Sequence, residues 1–197
     1  MLNPISSSLR SLLVLLRLRS FSSSSSPPTR VPALARPCSA VVAAKSATPQ
    51  PTLPGTIFTV AAEVEALGAK ALPVVVDLRD EAACVACVQA TVATFGGVDI
   101  LINHASALWW QTISDTPTKK YDLIQGINAR GAFIMTRECL PHMRTRGWGR
   151  VVCMGPPLPA SYKAYAGKTA YYMVWKPHTG GGGTRRHAVG VPDHMSV

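Results

Sequence analysis

Val98 to Ser106 reads VDILINHAS. Four of its first five residues are apolar, a run too short for a helix, and a polar Asn-His pair closes it. A strand buried on both faces meets a ligand crevice in this way. The stretch therefore predicts a central strand of a parallel sheet. In open α/β sheets ligands bind beyond the carboxyl ends of such strands, which puts Asn103, His104 and Ala105 at a crevice rather than in the core. An ordinary buried strand followed by a turn would look the same, so the neighbouring segments decide.

Upstream, SAVVAAK (Ser39 to Lys45) is a short apolar run ending in a cation and predicts a strand. Ala47 to Thr56 holds three prolines and a glycine, and predicts loop. TIFTVAAEVEALGAK then predicts a helix with Ile57, Val60, Ala61, Val64 and Leu67 on one face and Gly68 as its stop. ALPVVVD (Ala71 to Asp77) predicts a second strand, and Asp80 caps a helix running to Phe95 before Gly96-Gly97. Strand, helix, strand, helix, strand in this order calls for an α/β fold with right-handed crossovers. Downstream, Ser114 to Gly147 predicts one long helix carrying Leu123, Ile127, Phe133 and Ile134; Trp148 to Met154 predicts a further strand. Pro156, Pro157 and Pro159 force loop, and KTAYYMVWK begins another helix that Pro177 cuts off.

The 197 residues are 47% hydrophobic, enough to bury a core, and carry a net charge of +10. That charge is uneven. Residues 1–62 hold six basic groups and no acid, residues 63–140 six basic and nine acidic groups, and residues 141–197 eight basic groups against Asp193. The fold signals lie in the mildly acidic middle, which argues against a nucleic-acid face. Of the five cysteines, Cys84 and Cys87 form a C-x-x-C with no second pair or matched histidines, so they read as plain helix thiols in a reducing compartment and no metal site is expected.

Residues 1–37 read as a disordered organellar targeting leader. Arg10, Arg17, Arg19 and Arg30 are interleaved with leucines and the serine run Ser22 to Ser26, without an acid. Mitochondrion is the expected address, with plastid and peroxisome as alternatives. Arg17 breaks the apolar run Leu12 to Leu16 far short of the ~20 residues of a bilayer span, so no transmembrane segment is expected. Residues 177–197, with Gly180 to Gly183, lack apolar periodicity and read as a flexible tail. Between the two ends lies one domain, residues 38–176.

Asp77, VDILINHAS, INARG (Ile127 to Gly131) and YMVWK (Tyr172 to Lys176) stand in an order and spacing that resembles the short-chain dehydrogenase/reductase family. AAKSATPQPTLPGTIFTVAAEVEALGAKALP and SDTPTKKYDLIQGINARGAF carry a narrower likeness to a hydroxysteroid dehydrogenase-like branch of it. The resemblance implies a Rossmann-type sheet and the interconversion of a hydroxyl and a carbonyl on a lipid-like or steroid-like substrate. Tyr172 and Lys176, four apart, share a helix face, and an ammonium beside a phenol draws the phenol pKa down from ~10. Tyr172 is thus the expected general acid/base, with Lys176 also reaching the cofactor ribose as the resemblance implies. The resemblance further gives Asn128 a helix-interrupting, water-holding role, Asp77 the adenine amino group, and Asn103 to Ala105 the cofactor wall. Lys45 ends its strand where a ribose 2′-substituent would lie; a cation there suits NADP.

The departures are equally specific. Residues 1–38 contain no glycine, so the first strand with its glycine-rich, pyrophosphate-binding turn is expected to be missing, as are the last strands. The missing strand would lie between those ending at Lys45 and Ile102, leaving the sheet split at its centre. Leu12 to Leu18 is the nearest candidate to fill it, but its arginine-leucine texture reads as helical. The catalytic serine of the family falls near Gly155, with Ser161 close by in a loop, and Pro177 disfavours helical geometry at Lys176. Two functions remain: an NADP-dependent oxidoreductase with impaired activity, or a truncated, non-catalytic fragment that binds partners, or a second copy, through the long helix at 118–146.

Overall fold

The structure, a computed structural model, describes residues 13–18, 38–44, 48, 56–155, 167–175 and 187–190. Six strands form one sheet: β1 (Leu13–Leu18), β2 (Cys38–Ala44), β3 (Lys70–Val75), β4 (Ile100–Asn103), β5 (Arg150–Cys153) and β6 (His187–Gly190). Their spatial order is β3-β2-β1-β4-β5-β6. β2 pairs parallel with β3 and β4 parallel with β5, whereas β1 runs antiparallel to both β2 and β4, and β6 antiparallel to β5. The α/β class and the parallel arrangement of the four expected strands agree with the sequence.

Two expectations change. Leu13–Leu18, read as part of a disordered leader with helical texture, is a strand; it fills the gap between β2 and β4, so the sheet is not split. The physical reason is demand from its neighbours: β2 and β4 each present an unpaired edge, and an apolar segment satisfies both. It is not the expected first strand with its glycine-rich turn, since it runs antiparallel to β2 and β4 and residues 1–38 hold no glycine. His187–Gly190, read as tail, pairs with the outer edge of β5 for the same reason. Gly180 to Gly183 and Pro177 lie outside the described residues.

The helices follow their caps. In α1 (Ile57–Ala66) the Thr56 hydroxyl accepts from the backbone N–H groups of Phe58 and Thr59, closing a reciprocal box with Thr59. α1 ends at Ala66, one residue earlier than expected, so Leu67 falls in the turn and is exposed, while Ile57 and Ala61 are buried. In α2 (Glu81–Phe95) the Asp80 carboxylate accepts from the N–H groups of Ala82 and Ala83, and Gly96, at φ 81°, ends the helix in the left-handed conformation. The long helix expected over 118–146 is three pieces: α3 (Thr118–Ile124), a π-helical segment (Gln125–Gly131) and α4 (Ala132–Thr145). α5 (Thr169–Trp175) follows β5.

The main core joins sheet residues Leu15, Leu101 and Val151 to Cys84, Cys87 and Val88 of α2 and to Ile134, Met135, Cys139 and Met143 of α4. The C-x-x-C thus faces inward. Burial is the main cause that pushes the Cys84 thiol up to about 11 and the Cys87 thiol up to about 12, so both stay protonated at neutral pH, as plain core thiols do. Asp99, the acidic residue of the opening stretch, is buried, and both its carboxylate oxygens accept from Arg146 Nη1, at 2.9 and 3.1 Å. Among the described residues no helix is long and apolar enough to cross a membrane.

Candidate functional site

The site is built from the segments just beyond the carboxyl ends of the parallel strands. β4 ends at Asn103, paired with Cys153 at the end of β5. The Asn103 side chain is buried; its Nδ2 donates to Thr136 Oγ1 at 3.3 Å and to Cys153 Sγ at 3.6 Å, while its Oδ1 is buried without a partner. A buried amide oxygen left unbonded costs about 1–3 kcal/mol, which marks the end of β4 as a place that a donor would complete. Ala105 packs on the core beside it.

Two residues on, the chain is tied to the helix layer. Asn128 Oδ1 accepts from the Ala107 N–H at 2.8 Å, and Asn128 Nδ2 donates to the Ala107 carbonyl at 3.0 Å. A buried asparagine amide is here used as a peptide group would be, pairing with the loop in both directions. It lies within the π-helical segment, and π-turns inside α-helices concentrate at functional positions. The backbone here runs tight against the loop after β3: a Cβ on Gly131 would stand 2.8 Å from Leu78 Cβ and 3.0 Å from its carbonyl oxygen. The interruption expected at Asn128 is therefore present, and the side chain holds the loop.

Tyr172, in α5, is half-buried and packs with Ala107, Trp109, Tyr121 and Ala129 against a second core of Ile124, Ala170 and Tyr171. Its ring meets Tyr171 edge-on at 5.8 Å. Tyr172 thus shares one cluster with Ala107, the residue that Asn128 fixes. Lys176 and Ser161 lie outside the described residues, as does Lys45. Gly155 lies two residues past the end of β5 and is exposed; it carries no hydroxyl to place on a substrate oxygen.

Asp77, just beyond β3, is paired with Arg79. Its carboxylate accepts from Arg79 Nε at 3.0 Å, from Arg79 Nη2 at 2.6 Å and from the Arg79 backbone N–H at 3.1 Å. That hydrogen-bonded pairing is the main cause holding the Arg79 guanidinium above its usual range. Sequence reasoning missed Arg79, although the Asp-x-Arg spacing was visible. It also missed the aromatic wall: Trp110 lies 6.0 Å from Tyr171, and Lys120 and Lys168 sit over the rings of Trp109 and Trp110 at 4.5 and 5.1 Å. The Trp-Trp pair after the opening stretch was its only signal.

Tested against a dinucleotide, this crevice is half built. The orphaned Asn103 oxygen offers an acceptor on one side of it. The diphosphate does not fit. It needs a turn leading from the central strand into a helix N-terminus at the carboxyl edge. Because β1 is antiparallel, the chain stands at that edge through Leu13, beside Ala43 and Asn103, and departs at the opposite edge through Leu18, beside Cys38.

A family model described as short chain dehydrogenase matches residues 53–172. Hydroxysteroid dehydrogenase-like protein 2 of Xenopus tropicalis is 48% identical over 118 residues, which are 60% of this chain and 28% of that protein. A crystal structure of a short chain dehydrogenase from Mycobacterium thermoresistibile superposes with a TM-score of 0.63 at 42% identity, covering 68% of this chain and 48% of that one. The structure of an NAD+-bound xylitol dehydrogenase superposes with a TM-score of 0.55 at 27% identity, covering 60% and 45%. The chain therefore spans less than a third of that curated relative and about half of the solved ones.

Proposed function

Because the chain belongs to the short-chain dehydrogenase family, we propose that it is an oxidoreductase of that family acting on the hydroxyl or carbonyl of a lipid-like small molecule, with impaired turnover. Tyr172 is the proton-carrying group in this reading, Lys176 the cation that favours its phenolate, and Asn128 the residue that fixes the loop against which Tyr172 packs. The observation that carries it is the reciprocal pairing of Asn128 with Ala107 within the cluster that includes Tyr172. A nicotinamide cofactor belongs to this reading, with NADP preferred for the cation at Lys45, and Asp77, Asn103 and Ala105 as its wall. Impairment follows from two features: Gly155 supplies no hydroxyl to the substrate oxygen, a donor whose loss typically costs ~100-fold or more in rate, and the diphosphate has no glycine turn.

The antiparallel β1 favours a second reading, in which the chain is a non-catalytic dehydrogenase fragment that binds partners or a second copy through 118–146, where Phe133 is exposed. Residues 1–37 act as a mitochondrial leader under either reading. Fluorescence titration of the full chain with NADPH separates the two. Saturable binding that Lys45→Asp shifts toward NADH supports the oxidoreductase; absence of saturable binding leaves the fragment.

A further inference from the structure

We propose that residues 13–18 have two mutually exclusive uses, as the central strand of the sheet and as the apolar part of an organellar import signal, so that folding hides the signal. This rests on residues 1–37 being a leader. Signals of that kind act as exposed, arginine-rich, acid-free segments, and the composition of residues 1–37 supplies one around Arg10, Arg17, Arg19 and Arg30. In the folded sheet the same leucines are committed elsewhere. Leu13 to Leu18 pair on one side with Cys38 to Ala43 and on the other, from Leu13 to Leu16, with Ile100 to Asn103. Leu15 is 0% exposed and belongs to the main core.

From Leu13 to Leu16 the strand is paired along both edges and has no backbone left to offer a receptor, and a buried leucine has no face to offer it. β1 also cannot fray from the rim. It joins the β2–β3 pair to the β4–β5 pair, so releasing it divides the sheet in two. Presenting the signal therefore requires opening the domain, and a chain that folds where it is made stays there. A protease that removed the leader after import would take the middle strand from the sheet it delivered.

The test offers full-length chain to isolated, energised mitochondria, either folded or freshly diluted from urea, beside Leu15→Ser. That substitution keeps the leader free of acid but removes an apolar side chain from the core. Both chains should enter equally from urea, whereas from the folded state the unsubstituted chain should enter at least ~10-fold more slowly, because a core truncation raises the opened population by that factor or more. Equal entry from the folded state overturns the hiding. Failure of both chains to enter from urea overturns the leader reading on which it rests; neither result depends on NADPH binding. Hydrogen exchange on the unsubstituted chain gives a readout that needs no variant. Amides of Leu13 to Leu18 should exchange as slowly as those of Ile100 to Asn103, and random-coil rates at 13–18 beside protected amides at 100–103 overturn the proposal.

Discussion

β1 and β4 lie side by side at the centre of one sheet, and both bury a leucine completely, Leu15 and Leu101. They reach that position by different routes. β4 is a family strand: a short apolar run closed by Asn103, feeding directly into the Ala107–Asn128 contact. β1 is an acid-free apolar segment that satisfies the edges of β2 and β4 but runs the wrong way to carry a phosphate-binding turn. Position in a sheet and service to a ligand are thus separable. Packing needs only an apolar segment of matching length, whereas the crevice needs the right strand sense, because only the carboxyl end of a parallel strand opens onto it.

The sharpest way to break this equivalence is to truncate both leucines. Leu15→Ala and Leu101→Ala should each lower unfolding free energy by about 2–5 kcal/mol, as buried leucines do, measured by urea denaturation of the full chain. Similar losses would establish that β1 is as integral to the core as β4. A Leu15→Ala midpoint equal to that of the unsubstituted chain, beside a large Leu101→Ala loss, would mean that β1 is dispensable and the core belongs to the family strands alone.

What was legible divides along the same line. β4, the cap at Asp80 and the stop at Gly96 are local chemistry: an apolar run, a carboxylate over free N–H groups, and a residue able to hold φ 81°. These could be read from the residues. β1 could not, because LVLLRL has no strict alternation, and its strand state comes from two edges that the rest of the chain leaves open; strand preference depends on such context more than helix preference does. For Asn128 the resemblance implies an interrupted helix, but not the length of the π-helical segment or the identity of its partner, which depend on where the loop after β4 comes to lie. The Arg79 partner of Asp77 was not legible, because a salt-bridge partner two residues away becomes one only when the turn brings it back onto the carboxylate.

A smaller effect sharpens the site side of the comparison. Asn128→Ala removes both bonds to Ala107 and leaves that N–H and carbonyl without their partner, at a cost of about 1–3 kcal/mol. The loss should register beyond stability, since Tyr172 packs in the same cluster: protease cleavage in the 104–117 loop should quicken while amides of β1 and β4 remain protected. If cleavage is unchanged, Asn128 is not what fixes the loop.

The smallest effect reads the shared core through its thiols. Cys84 and Cys87 belong to the same cluster as Leu15 and Leu101, and burial raises them from 9.0 to about 11 and about 12. The folded state therefore holds these protons more tightly than the unfolded state, in which the thiols ionise near 9.0. Their contribution to stability is fully present below that pH and is lost as pH rises toward about 11 for Cys84 and about 12 for Cys87. Ultraviolet thiolate absorbance of the folded chain should follow those late titrations. In Leu15→Ala the thiols should ionise at lower pH, because water gains access to the core from the β1 side; unchanged titration in that variant, with Leu101→Ala shifting it, would show that β4 alone seals the helix α2 face and that β1 covers something else.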